Sequence, residues 1–177
     1  IHVASKLVES LQQVQHDLRD YGAQDSGYDI PYTTVHVGKI SGGTALNIVP
    51  NQCVVDYEIR HLAQDSSQRI QAQILESIQS EFQQHIDVEE VNQYPGLSTS
   101  STIEAVQFIQ TLLPKETSLG NISFGTEGGL FQAALTCPVV VCGPGNIAVA
   151  HKPNEYVAIE QLNQCDIFLE KLLMRLC

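Results

Sequence analysis

The apolar residues at the start of the chain recur with a helical period. Val3, Leu7, Leu11, Val14, Leu18 and Tyr21 step by fours and threes, which predicts one helix over 1–21. No capping residue precedes it. GAQDSGYDIP is a loop punctuated by Gly22, Gly27 and Pro31. TTVHVGKI (33–40) alternates as a strand, and SGG (41–43) makes a turn. TALNIVPNQCVVDYEIRHL (44–62) reads as a long strand interrupted at Pro50 and Asn51. Pro50 is expected at a bulge or edge, since it cannot donate to a ladder. Asp65-Ser66-Ser67-Gln68 has capping-box spacing, with Asp where Ser or Thr is usual. Ile70, Ile74, Ile78 and Phe82 then predict a helix over 66–84, and IDVEEV (86–91) a short strand.

The order helix, strand, strand, helix, strand lacks one strand of the βαββαβ ferredoxin-like pattern. The missing strand would precede residue 1. The chain also opens without methionine, inside a helical pattern. Both observations lead us to expect a piece of a longer protein.

A change in composition at YPGLSTSS (94–101) places a boundary there. The expected partition is 1–94 and 95–177. Ser101-x-x-Glu104 is a second capping box, and Ile103, Val106, Ile109 and Leu113 carry a helix to Pro114. SLGNISFG (118–125) approaches a glycine-rich loop, GLFQAAL (129–135) reads as a short helix, and PVVVCG (138–143) as a buried parallel strand. Leu162, Cys165, Leu169, Leu172 and Leu176 mark a last helix over 159–176. The second part alternates helix and strand, an α/β pattern with too few strands for a stable sheet of its own. No internal repeat or low-complexity segment occurs.

Composition narrows the function. The chain has 177 residues, 43% of them apolar and 16% charged, with a net charge of -11. That is globular composition. The acidic balance and the absence of any basic stripe argue against nucleic acid. No apolar run reaches the ~20 residues needed to span a bilayer as a helix. The five cysteines (53, 137, 142, 165 and 177) include no CxxC pair, so they are read as reduced thiols and the expected location is the cytoplasm.

Several residues are candidates for chemistry, each with a plainer reading beside it. Asn47 follows a glycine turn in GGTALNIVPN (42–51), where an exposed amide is the plain alternative. Arg60, in DYEIRHL, suits bidentate capture of a carboxylate; otherwise it is a surface arginine paired with Asp56 or Glu58. FGTEGG (124–129) ends in glycines and opens a helix, a place where backbone N–H groups favour anions. Thr126 adds a hydroxyl there. Glu127 is a charge at the helix start or a partner for a cation. His151 sits alone in CGPGNIAVAHKPNEYV (142–157), as a metal ligand or as a structural histidine. His85-Ile86-Asp87 is formally an HxD motif, but it lies at a helix–strand junction with no glycine loop to shape a cavity and reads as surface.

Taken together, GGTALNIVPNQCVVDYEIR, FGTEGGLFQAALTCPVVVCGPG and AHKPNEYV resemble the di-zinc aminoacylase and carboxypeptidase family. The resemblance covers nearly the whole chain. Within the family it leans toward members that remove the acetyl group from N-acetylornithine in arginine biosynthesis, with desuccinylases, dipeptidases and aminoacylases as alternatives. It implies an incomplete ferredoxin-like dimerisation lid, then the C-terminal part of a zinc-peptidase-like α/β catalytic domain. It also implies a homodimer through the lid, a small N-acylated amino acid as substrate, and two zinc ions per complete site, with cobalt as an alternative. His151 would be one zinc ligand. Arg60 would hold the substrate α-carboxylate. Asn47 and Asn146 would lie at that carboxylate or the scissile amide, and Gly125 and Thr126 beside it. The general base, the oxyanion histidine and the remaining ligands would precede residue 1, so none of the catalytic groups is expected here and 1–177 alone is expected to bind no zinc and to be inactive. As an extension, Glu127 is expected to meet the ornithine ammonium.

Overall fold

The computed structural model describes residues 1–78 and 80–177, with the side chains of residues 80 and 81 left aside. The chain divides into two compact units, residues 1–96 with 120–126 and residues 97–119 with 127–177.

The first unit is built on one amphipathic helix. Helix α1 (His2–Tyr21) buries Leu11, Val14 and Leu18 on one face, as the periodicity predicts. Tyr21 leaves that face and is exposed, because the helix ends at Gly22, whose N–H donates to the Leu18 carbonyl at 3.0 Å. Strands β1 (Thr34–Gly42) and β2 (Cys53–Arg60) form an antiparallel pair running from Thr34↔Arg60 to Gly42↔Cys53, with an irregularity between Val37 and Lys39. One extra residue there, Gly38, is a bulge on β1. Helix α2 (Ser67–Glu76) adds Ile70 and Ile74 to the core. These apolar residues pack with Val35 and, behind it, Val37, Val55, Tyr57 and Ile59. Burial raises the Tyr57 phenol above its usual range, in keeping with its place on this inner face.

Both helices therefore pack on one face of the two-strand sheet. The other face carries His36, Asp56, Glu58 and Arg60, all exposed. The mixed helix-and-strand class expected for a lid is what forms.

Four expectations for this unit need correction. Residues 44–52 are loop, so the long strand shrinks to Cys53–Arg60. Pro50 brings no N–H to a ladder, and the Ile48 N–H turns back to the Ala45 carbonyl at 3.3 Å. Leu46 and Val49 are left exposed. Ser66, not Asp65, caps α2, its hydroxyl accepting from the Arg69 N–H at 3.3 Å. Asp65 accepts instead from the buried Thr33 hydroxyl, which in turn accepts from the Leu62 N–H at 2.9 Å.

The helix expected over 66–84 is broken; residue 79 of that range lies outside the described residues, and a short helix α3 (Ser80–Gln83) follows. The break coincides with a change of partners at the Ile74 carbonyl, one partner near in sequence and one distant. The Ile78 N–H bonds to the Leu75 carbonyl at 3.2 Å, so it is lost to Ile74. The Ile74 carbonyl takes hydroxyls from Ser77 at 2.7 Å and Ser10 at 3.1 Å instead. Serine competes with the helix for backbone partners in this way. Finally, 86–91 is not a strand, since a strand needs a hydrogen-bonding neighbour and the sheet of the described residues holds β1 and β2.

The second unit holds helices α4 (Glu104–Leu112), α5 (Gly128–Leu135) and α6 (Ile159–Leu176). Val106 and Leu112 are buried in α4, and the Lys171 ammonium of α6 donates to the Leu112 carbonyl at 3.4 Å. The Gln132 amide of α5 ties down the preceding stretch, donating to the Ser98 carbonyl and the Thr99 hydroxyl, each at 3.1 Å. Two expectations fail here. Ile103 stands at the N-cap of α4 with no side-chain cap, so Ser101 opens no capping box. Residues 138–143 form no strand, and the Val139 carbonyl accepts from the Thr99 hydroxyl at 2.6 Å. No helix among the described residues is long and apolar enough to cross a membrane.

Candidate functional site

Arg60 ends β2 on the helix-free face of the sheet. Its Nε donates to Glu58 Oε1 at 2.9 Å and its Nη2 to Glu58 Oε2 at 3.3 Å. The two residues point the same way because side chains alternate along a strand. Of the two carboxylates that could have paired with Arg60, Glu58 does so; Asp56 faces Lys39 across the ladder at 3.9 Å. The guanidinium also reaches the Ser123 carbonyl, with Nη1 at 3.4 Å. The DYEIR motif thus meets Ser123, 63 residues on and next to Phe124, within the first unit.

The stretch 120–126 is seated closely. A Cβ on Gly125 would stand 1.9 Å from the Tyr94 ring, and one on Gly27 would stand 2.5 Å from the Asn121 amide. A larger residue at either position would have to displace the Tyr94 or Asn121 side chain. Thr126 closes this stretch, half-buried. Asn47 lies apart on the exposed loop 43–52, following Gly43 at φ 84.

The remaining candidates belong to the second unit. Glu127 is the N-cap residue of α5, exposed and with no side-chain cap bond. Asn146 folds its side chain back, Oδ1 accepting from the Ala148 N–H at 2.9 Å in an Asx turn.

His151 has φ 58, left-handed backbone that a side-chain-bearing residue rarely adopts. The loop holds it there. Its N–H donates to Glu155 Oε2 at 3.2 Å, and Lys152 Nζ donates to the Ala148 carbonyl at 2.6 Å. Strained backbone held by its surroundings is a mark of functional loops. The ring is exposed, and among the described residues its nitrogens make no hydrogen bond. It can therefore serve as one metal ligand. No group of three His, Cys, Asp or Glu able to hold a metal ion occurs among the described residues. Burial and then the neighbouring Cys165 raise the Cys142 thiol, making it a weaker nucleophile.

Residues 1–87 match the model of the M20 peptidase dimerisation domain. The match spans α1, the hairpin, α2 and α3. The helix-free strand face, with Arg60, lies within the matched residues. The similarity to curated proteins runs on past this domain. The acetylornithine deacetylase of Myxococcus xanthus is 34% identical over 164 residues, covering 86% of this chain and 40% of its own length. That of Pasteurella multocida is 28% identical over 172 residues, covering 94% of this chain and 44% of its own. That of Aliivibrio fischeri is 25% identical over 182 residues, covering 100% and 47%. The chain spans less than half the length of these relatives.

The pairing of Glu58 with Arg60 was visible in the sequence only as one of two alternatives. The seat of Gly125 on Tyr94 was not visible at all, because the two lie 31 positions apart with no periodic signal between them.

Proposed function

We propose that this chain contributes the dimerisation lid and the C-terminal catalytic segment to a metal-dependent amidohydrolase that deacetylates N-acetylornithine in arginine biosynthesis. The observation that carries this reading is Arg60, standing on the helix-free face of a peptidase dimerisation domain beside the 120–126 stretch. An exposed guanidinium in a chain of net charge -11 suits a substrate carboxylate. The deacetylase names of the relatives support the acetyl group and the ornithine.

In this reading Arg60 holds the substrate α-carboxylate, with Gly125 and Thr126 beside it. Asn47 and Asn146 bring amide groups to the carboxylate or the scissile amide. His151 supplies one imidazole to a pair of zinc ions, with cobalt as an alternative. Such ions polarise an amide carbonyl and acidify bound water when present. The assembly is a homodimer through the lid, and the compartment is the cytoplasm, where five unpaired thiols stay reduced.

The test uses the full-length protein. Hydrolysis of N-acetylornithine, N-succinyl-diaminopimelate and a dipeptide is compared, with metal content measured in parallel. Fastest turnover on N-acetylornithine is expected. A preference for the succinylated diacid would assign the chain to the desuccinylases.

Glu127 is proposed to read the ornithine ammonium. Glu127→Gln is expected to raise KM for N-acetylornithine about tenfold while leaving an acetylated neutral amino acid nearly unchanged. Equal losses on both substrates would remove this role.

A second reading is a pairing module without chemistry. The match of residues 1–87 to a peptidase dimerisation domain supports it for the isolated chain. Residues 1–177 expressed alone are expected to show no zinc-dependent hydrolysis, and measurable turnover would overturn that expectation.

A further inference from the structure

The guanidinium of Arg60 has five N–H donors. Two go to the Glu58 carboxylate, from Nε and Nη2, and one goes from Nη1 to the Ser123 carbonyl. The remaining two are one on each terminal nitrogen. Both remain able to donate to a second carboxylate. Glu58 thus occupies the Nε edge of the planar group, and two terminal N–H groups have no partner among the described residues.

We propose that Glu58 is a positioning residue, which aims Arg60 on the helix-free face of β2 so that its remaining N–H groups receive the carboxylate of an N-acyl amino acid. The inference rests on the carboxylate-binding role given to Arg60 above.

Stability gives little reason for the pair. Both side chains are about half exposed, at 58% for Arg60 and 50% for Glu58, and such pairs add little to folding. Orientation does give a reason. Arginine has many rotamers, and ordering it before the substrate arrives favours binding by up to about tenfold. An opposing effect has to be weighed. The Glu58 charge repels an incoming carboxylate, but across a wet, salt-screened surface this costs about threefold or less. Ordering therefore prevails by a modest factor.

The experiment compares full-length wild type with Glu58→Ala, Glu58→Gln and Arg60→Ala. The probes are N-acetylornithine and its carboxamide counterpart, which lacks the carboxylate. Glu58→Ala is expected to raise KM for the acid by about three- to tenfold, with little change in kcat or in KM for the carboxamide. Glu58→Gln keeps one acceptor oxygen and should recover part of the loss. An unchanged or lower KM for the acid in Glu58→Ala would overturn the proposal, the lower value showing that Glu58 competes with substrate. Equal losses on acid and carboxamide would overturn it too. Arg60→Ala separates the two levels. If it leaves the preference for acid over carboxamide intact, the carboxylate role of Arg60 fails. If it abolishes that preference and Glu58→Ala does not shift it, the positioning role alone fails.

Discussion

Replacing Arg60 with alanine in the full-length protein is expected to lower kcat/KM for N-acetylornithine by about a hundred- to a thousandfold. Two charge-assisted hydrogen bonds to the substrate carboxylate are lost. Arg60→Lys keeps the charge and loses the planar fork, so an intermediate loss of about ten- to a hundredfold is expected. The loss should vanish on a substrate whose carboxylate is an amide. Folding should hardly respond, because the Glu58 pair is about half exposed and worth about 0–1 kcal/mol. Steady-state kinetics on both substrates, with a thermal midpoint for each variant, checks all of this. A full-size loss on the amide substrate would mean that Arg60 supports the structure and does not read the carboxylate.

The opposite profile is expected for Ile74→Ala. Ile74 is 0% exposed and packs with Leu11 and Val14 of α1 and with Ile70 of α2. Its truncation removes buried methyl groups and leaves a cavity, at a cost of about 2–5 kcal/mol. Domains are commonly stable by only about 5–15 kcal/mol, so this is a large share. The site has little room to relax. The Ile74 backbone is tied on one side by the Ser10 and Ser77 hydroxyls, which fix the end of α2 against α1. Val54→Ala on the other sheet face, 42% exposed, is the control and should lie within about 0.5 kcal/mol of wild type. Denaturant unfolding of the full-length protein and its two variants decides it. Equal midpoints for Ile74→Ala and Val54→Ala would mean that the helices are not held to the sheet by this core.

Helices α1 and α6 were legible because their apolar stripes are long, and a stripe is a local property. Strands at 86–91 and 138–143 were misread because a strand is a relation between two segments. Apolar composition supplies a candidate but not its neighbour. The break after α2 was hidden for a different reason. Ile70, Ile74, Ile78 and Phe82 keep a helical beat through it, while the deciding competition is between the Ser10 and Ser77 hydroxyls and a backbone N–H for the Ile74 carbonyl. Ser10 is 64 positions away, out of reach of any local rule. In the same way, the motifs singled out Arg60, while the partner that aims it was one of two neighbouring carboxylates. Only the bulge and register of β1, which bring Lys39 opposite Asp56, show which one is free to do so.

One consequence follows from the pleat of β2. Odd positions 53, 55, 57 and 59 face the helices, and even positions 54, 56, 58 and 60 face away. Selection on fold and selection on recognition therefore act on different parities of a single eight-residue segment. Drift at the even positions can change which acid the face reads without passing through an unfolded intermediate genotype. A saturation library across 53–60, scored once for abundance and once for turnover, should show two interleaved combs of sensitivity, one residue out of phase.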